Sequence, residues 1–178
     1  MKTSEGTIQP ARQAGGAYWL GPGEGDARRV LEELDTLKAS AAQTGGLFAL
    51  KESLSFRGSG PPLHVHERED EACYVIEGDI TLFIGEETVS ATSGSWIYLP
   101  RRIRHSLRIE SDEARMLWLI VPGGFESFFV ELFPAAANGN SSTEQPDVEQ
   151  MTAAAARHGV TILGPPPGMT DTEGGRSS

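Results

Sequence analysis

Residues 58 to 78 read Gly58-Ser59-Gly60-Pro61-Pro62-Leu63-His64-Val65-His66-Glu67-Arg68-Glu69-Asp70-Glu71-Ala72-Cys73-Tyr74-Val75-Ile76-Glu77-Gly78. His64-Val65-His66 is an H-x-H pair. On a strand, residues two apart point to one face, so both imidazoles project into the same space. Glu71 follows after four intervening residues, far enough to cross a tight turn onto the neighbouring strand. His105 lies 34 residues beyond Glu71, separated from it by what reads as two hairpins. Three neutral imidazoles and one carboxylate suit one borderline divalent transition metal per chain: Fe, Ni, Mn, Co, Cu or Zn. Such a set leaves one or two positions for water, dioxygen or a substrate oxygen.

Outward from this stretch the chain is β-prone. Leu47-Phe48-Ala49-Leu50, Cys73-Tyr74-Val75-Ile76, Ile80-Thr81-Leu82-Phe83-Ile84, Trp96-Ile97-Tyr98-Leu99, His105 to Ile109 and Met116 to Val121 are short strand-like runs. Turn residues divide them at Gly58 to Pro62, Glu77-Gly78-Asp79, Gly85-Glu86-Glu87, Gly94 and Pro100. Many short, closely spaced strands imply an all-β sandwich or barrel. Tyr18-Trp19-Leu20 reads as a further short strand closed by Gly21-Pro22-Gly23. Ala27 to Ala42 fits either strand or helix, because Val30, Leu31, Leu34 and Leu37 have helical spacing in a segment that also tolerates extension.

After Pro122 the period changes. Phe125, Phe128, Phe129 and Leu132 fall on one face of a two-turn helix expected to pack on the barrel. Asp147 is a good N-cap for a helix over Val148 to His158 ended by Gly159, and Val160 to Leu163 adds a strand. His158 would then sit at a helix C-terminus, where an imidazole interacts well with the dipole. The division expected is a flexible arm over 1–16, a barrel with its following short helix over 17–134, a linker, helix and terminal segment over 135–165, and a disordered tail over 166–178.

The 178 residues suffice for one domain with a substantial core. A net charge of −10 repels phosphate backbones and anionic headgroups, which argues against nucleic-acid and membrane-surface partners. No apolar stretch nears the roughly 20 residues needed to span a bilayer, and no secretory signal is visible behind Met1-Lys2. The single cysteine, Cys73, excludes an intrachain disulfide and fits a reducing cytoplasm.

Two spacings match a family. Gly58-x5-His64-x-His66-x4-Glu71-x6-Gly78 fits the first signature motif of the cupins without a gap, and Gly94-x5-Pro100-x4-His105 resembles the second. The motifs and the segment between them cover residues 58 to 109; the strand pattern extends the likeness to roughly 45 to 133. The resemblance implies a double-stranded β-helix, the jelly-roll barrel, with short C-terminal helices. The spacing to Gly78 favours Glu71 as the carboxylate ligand over Glu67 or Asp70. Arg102 replaces the glycine usual between Pro100 and His105, at a turn that can require a backbone conformation costly for arginine. Ile109 replaces a usual asparagine and makes the pocket more apolar.

With Glu71 facing inward, the period of two brings Cys73 and Val75 to the same face, as Leu107 and Ile109 follow His105. These four would line a substrate sleeve suited to a flat aromatic molecule. The single cupin segment and the Pro-Gly-Gly-Phe-Glu-Ser-Phe-Phe stretch (122–129) look like quercetin-dioxygenase-like cupins. That resemblance implies a metal-dependent dioxygenase in which His64, His66, Glu71 and His105 hold the metal and Glu71 also accepts a substrate proton. Its expected substrate is a small flavonoid- or polyketide-like aromatic. Alternatives are a metal-dependent isomerase or cyclase that consumes no oxygen, and a non-catalytic metal-dependent binding module. A homodimer is expected from the same resemblance, with the segment from Tyr18 a candidate to cross between subunits. Cys73 reads as a small packing residue, the phenylalanine stripe as core, and Arg101, Arg102 and Arg104 as an ion-paired turn.

Overall fold

The computed structural model describes residues 16–135 and 145–168. Eleven strands among them form two sheets. They are β1 (Asp26–Val30), β2 (Glu33–Ala39), β3 (Ala49–Phe56), β4 (Leu63–His66), β5 (Asp70–Glu77), β6 (Asp79–Ile84), β7 (Glu87–Thr92), β8 (Trp96–Leu99), β9 (His105–Ile109), β10 (Glu113–Val121) and β11 (Val160–Gly164). The larger sheet has the order β1-β2-β3-β10-β5-β8 and the smaller β11-β4-β9-β6-β7, every pair antiparallel. This is the jelly-roll architecture expected. Three short helices accompany it: α1 (Ala41–Thr44), α2 (Glu126–Leu132) and α3 (Val148–Arg157).

The chain repeatedly passes from one sheet to the other. β4 and β5 are consecutive yet lie in different sheets, so Glu71 does not reach the strand beside the histidines; it faces them from across the barrel. Between Glu71 and His105 only β6 and β7 form a hairpin, where two were expected. The turn at Gly78 explains this, since it passes β5 into the opposite sheet instead of pairing it with β6. Gly78 has φ +90°, and a Cβ there would lie 2.5 Å from the Glu113 carbonyl oxygen, so only glycine fits. Gly60 answers a similar demand: a Cβ would come within 1.9 Å of the Leu107 carbonyl oxygen.

Inward side chains of both sheets make the core. Cys73, Val75, Leu82, Leu107, Met116 and Trp118 belong to its main cluster. A second cluster joins Ala49, Ile120 and Phe125 to Ala155 of α3 and Val160 of β11. Each fully buried leucine or valine side chain contributes about 1.5–3 kcal/mol relative to exposure.

Several expectations need correction. Tyr18-Trp19-Leu20 is not a strand; it runs without ladder partners, Tyr18 donating its hydroxyl to the Lys38 carbonyl at 2.8 Å while Trp19 is exposed. Ala27 to Ala42 is mostly extended: β1 and β2 form a hairpin, and a one-turn α1 starts at Ala41. The alternation was hidden because an inward position of β2 is the polar Asp35, buried against Ser53 and Lys51. The run from Leu47 becomes a strand only at Ala49 and continues to Phe56. β7 carries no apolar run and is not among the expected strands; of its residues only Ala91 is buried. Much of the arm (1–15), the linker (136–144) and the tail (169–178) lies outside the described residues.

The C-terminal readings match the structure. Asp147 caps α3 in a reciprocal capping box with Gln150, and His158 is its C-cap residue, with Nε2 2.8 Å from Glu131. α2 packs through Phe128 and Phe129 on the second cluster, its first residue Glu126 accepting backbone N–H bonds from Ala41 and Gly124, each at 2.6 Å.

Candidate metal centre

The smaller sheet supplies three imidazoles. His64 and His66 share the inward face of β4, and His105 is the direct cross-strand partner of His64 on β9. The larger sheet supplies Glu71 from β5, flanked by Ile120 of β10 and Leu99 of β8. One potential ligand atom from each of these residues lies within 4.8 Å of the others. The four residues singled out in the sequence therefore converge between the sheets.

Their outer contacts fix how the rings are presented. His64 Nδ1 lies 2.8 Å from the Pro62 carbonyl and His105 Nδ1 lies 3.0 Å from the Ile103 carbonyl, each two residues earlier in the chain. A carbonyl only accepts, so Nδ1 carries the proton in both and Nε2 offers its lone pair inward. His66 Nδ1 is instead 3.4 Å from a carboxylate oxygen of Glu69. His66 Nε2 is buried without a hydrogen-bond partner and lies 3.5 Å from Glu71 Oε2, while His105 Nε2 is 3.1 Å from the same oxygen. A buried polar atom with no hydrogen bond is costly. Nε2 atoms turned toward one carboxylate are a donor set that a tetrahedral or octahedral divalent ion satisfies. The residues fit a transition metal.

Charge within the cluster is arranged the same way. Burial pushes the carboxyl of Glu71 up, but His66, His105 and His64 outweigh it and bring it down to about 2. Burial, reinforced by repulsion from His105, lowers His64 to about 4, so it is neutral and ready to ligate at ordinary pH. Burial pulls His105 down, but the hydrogen bond its protonated ring makes to Glu71, the attraction of that carboxylate and the Ile103 carbonyl together outweigh burial and move it upward.

Around the cluster the other expected residues take varied places. Cys73, Val75, Leu107 and Ile109 are all buried in the main core cluster. Burial pushes the Cys73 thiol up to about 12, so it remains an uncharged packing group. Glu67 is exposed, and Asp70 forms a bidentate pair with Arg101 that holds its carboxyl well below the usual carboxylate range. Neither reaches the cluster. Arg104 pairs with Glu86, and Arg102 approaches Glu67 at 3.6 Å, making the basic turn an ion-paired one. Arg102 adopts φ +65°, the left-handed conformation anticipated where a glycine is usual, and its N–H donates to the His66 carbonyl at 2.8 Å.

Two features escaped the sequence reading. Glu69 is 2% exposed and touches His66, yet in the sequence it is one of several carboxylates in a charged loop. Phe125, read as core, also sets its ring edge-to-face on His66 with centroids 4.5 Å apart. Nothing local distinguishes Phe125 from the other stripe residues; only the approach of α2 to β4 does.

A family described as the cupin domain matches residues 57–122. The chain is 31% identical over 112 residues to a quercetin 2,3-dioxygenase of Bacillus subtilis, covering 63% of this chain and 33% of that protein. It is 32% identical over 88 residues to a quercetin 2,3-dioxygenase of Aspergillus japonicus, covering 47% of this chain and 24% of that one. The chain thus spans about a third and a quarter of these two relatives. Among solved structures, KdgF from Halomonas sp. superposes with a TM-score of 0.54 at 18% identity, over 62% of this chain and 96% of that one. That likeness speaks for the fold alone. Barrel, ligand spacing and these matches agree: residues 57–122 match the cupin domain, and the chain resembles quercetin-dioxygenase-like cupins.

Proposed function

We propose that the protein is a metal-dependent dioxygenase acting on a small aromatic compound of the flavonoid or polyketide kind. The observation that carries this reading is the convergence of His64, His66, Glu71 and His105 on one point in a barrel similar to quercetin dioxygenases. These residues would hold one divalent ion of the Fe, Ni, Mn, Co, Cu or Zn series, which supplies a Lewis-acid site with room for dioxygen or a substrate oxygen.

The chain's own residues supply the rest. Glu71 is the proton acceptor for a substrate hydroxyl. Because its carboxyl is held down at about 2, it is ionised at neutral pH, and it becomes basic enough only when it turns away from the cationic surroundings. Cys73, Val75, Leu107 and Ile109 form the apolar wall and exclude water from the substrate ring. The Phe125 ring packs edge-to-face on His66 and helps shield it from water.

The assembly proposed is a homodimer. β1 leaves an edge on the larger sheet, and Trp19, 77% exposed, offers an apolar contact to a second copy. A reducing cytoplasm suits a buried free thiol at Cys73. The candidate partner at the metal is an aromatic small molecule, and no helix among the described residues is long and apolar enough to cross a membrane.

Oxygen-electrode measurements with metal-reconstituted protein and a flavonol test the reaction. Oxygen uptake in step with substrate loss, abolished in Glu71→Gln, is the expected result. Product formed without oxygen uptake would overturn the dioxygenase in favour of an isomerase or cyclase.

A further inference from the structure

The three histidine ligands are not supported alike. His64 and His105 rest on backbone carbonyls two residues earlier, a contact that any residue type at those positions would provide. His66 has no such carbonyl contact; its Nδ1 turns to the Glu69 carboxylate instead. His66 is also the most enclosed ligand, fully buried, with the Phe125 ring against it.

Glu69 is placed with some care. It is 2% exposed in a loop whose neighbours Glu67 and Arg68 are exposed. A buried carboxylate is expensive unless it is paired and hydrogen-bonded. One oxygen faces His66 and the other lies 3.4 Å from Arg68 Nε, whose guanidinium donates onward to the His158 carbonyl at 3.0 Å. The C-terminal segment is tied in at the same point, for Glu67 N–H donates to the Gly159 carbonyl and β11 pairs with β4, Val160 opposite His66. Gly159 takes φ +77°, and a Cβ there would meet Arg68 Nε at 3.0 Å.

We infer that Glu69 is a positioning residue for the metal centre: its carboxylate orients His66 through Nδ1 and makes that imidazole the strongest donor of the three. An anionic acceptor holds the Nδ1–H tautomer more firmly than a carbonyl and raises the electron density at Nε2. The asymmetry of the site therefore originates outside the ligand set. The inference rests on the metal centre and is independent of the reaction assigned to it.

Binding of Co(II) alone to full-length protein, followed by chelator competition and by the visible ligand-field bands, tests it. Glu69→Ala should weaken Co(II) binding by about 10- to 100-fold, and the near-isosteric Glu69→Gln, which keeps an acceptor but loses the charge, by less. Both should shift the bands, and Glu69→Gln should leave the melting temperature of metal-free protein unchanged. Glu67→Gln, which removes an exposed charge from the same loop, should leave affinity and bands as they are. Unaltered affinity and spectrum in both Glu69 variants would overturn the assignment. So would equal weakening in Glu67→Gln, which marks a diffuse field, or a Glu69→Gln loss matched by a lower melting temperature of the metal-free protein. Failure of the unaltered protein to bind Co(II) removes the centre itself, and Glu69's role with it. Intact binding without oxygen uptake removes only the dioxygenase reading.

Discussion

Two polar clusters lie between the strands of this barrel, and they differ in whether the nitrogen atoms of their ionisable groups are satisfied. On β2 and β3, Lys51 meets Asp35 at 2.6 Å and Ser53 donates to the other Asp35 oxygen at 2.6 Å, with Phe129 over the ammonium at 4.5 Å. Lys51 and Asp35 satisfy one another there, and the nearby carboxyl of Glu33 is raised by burial and by Asp35. Between β4, β5 and β9, three imidazoles face one carboxylate, and His66 Nε2 has no hydrogen bond at all. Burial and polarity are similar in the two clusters. The difference is completeness: a closed network stabilises itself, whereas an open one keeps lone pairs available for something absent from the chain.

The comparison breaks most sharply on ligand removal. Protein purified without added metal should carry about one divalent ion per chain, and a Glu71→Ala/His105→Ala variant should carry almost none by elemental analysis. Equal metal in both proteins would put the ion elsewhere. The closed cluster should respond in stability instead. Lys51→Met leaves Asp35 buried beside Ser53 alone and should cost about 3–5 kcal/mol in denaturant unfolding, while Lys51→Met/Asp35→Leu should recover most of that loss. Neither change should alter metal content. A double variant as unstable as the single one would mean that the pair holds something more than itself.

The same contrast explains how much was legible beforehand. The four ligands could be read because their spacing reflects rigid geometry: a period of two on β4 and a fixed glycine at Gly78 where the chain changes sheets. The barrel could be read from alternating apolar runs. β2 could not, because the closed cluster puts Asp35 where a core residue would mark the inward face. Glu71 was expected on a strand beside the histidines, whereas it faces them from the opposite sheet, since a sequence shows a turn but not which sheet the turn enters. Glu69 and Phe125 gain their roles from tertiary approach alone, which leaves no trace in local composition.

Protons probe the open cluster more gently. His105, raised by Glu71, takes up a proton in the metal-free site at a higher pH than an ordinary histidine, while His64, at about 4, stays neutral until the solution is strongly acidic. A metal must displace those protons, so affinity should fall as pH falls. Between about pH 5 and 6.5, His105 should contribute about one proton per metal, roughly a tenfold loss per pH unit, and His64 almost none. Titration calorimetry in buffers of different ionisation enthalpy counts the protons released. Three per metal in that range would mean that the imidazoles titrate independently and that the cluster does not hold His64 neutral. The linked stability of metal-free protein has two signs. For His64, whose folded value is depressed, stability is present above about 6.5 and is lost as pH falls toward 4; for His105, whose value is raised, it is present below about 6.5 and is lost as pH rises.

The smallest expected effect concerns Arg102, whose left-handed backbone is the departure from the second cupin motif. Its N–H holds the His66 carbonyl, so the backbone conformation serves the open cluster, while its side chain reaches only the exposed Glu67 at 3.6 Å. An L-residue in this region costs about 1–2 kcal/mol, and glycine removes that strain while adding about 0.5–1 kcal/mol of unfolded-state freedom. Arg102→Gly should therefore stabilise the fold by roughly 0.5–1 kcal/mol in denaturant unfolding and leave Co(II) affinity unchanged. Arg102→Pro, which cannot adopt φ +65° and has no N–H to give, should lose the His66 contact and weaken Co(II) binding. If Arg102→Gly weakened Co(II) binding instead, the guanidinium itself would belong to the support of the centre, and the division between a backbone that holds the ligands and side chains that merely pair at the surface would have to be redrawn.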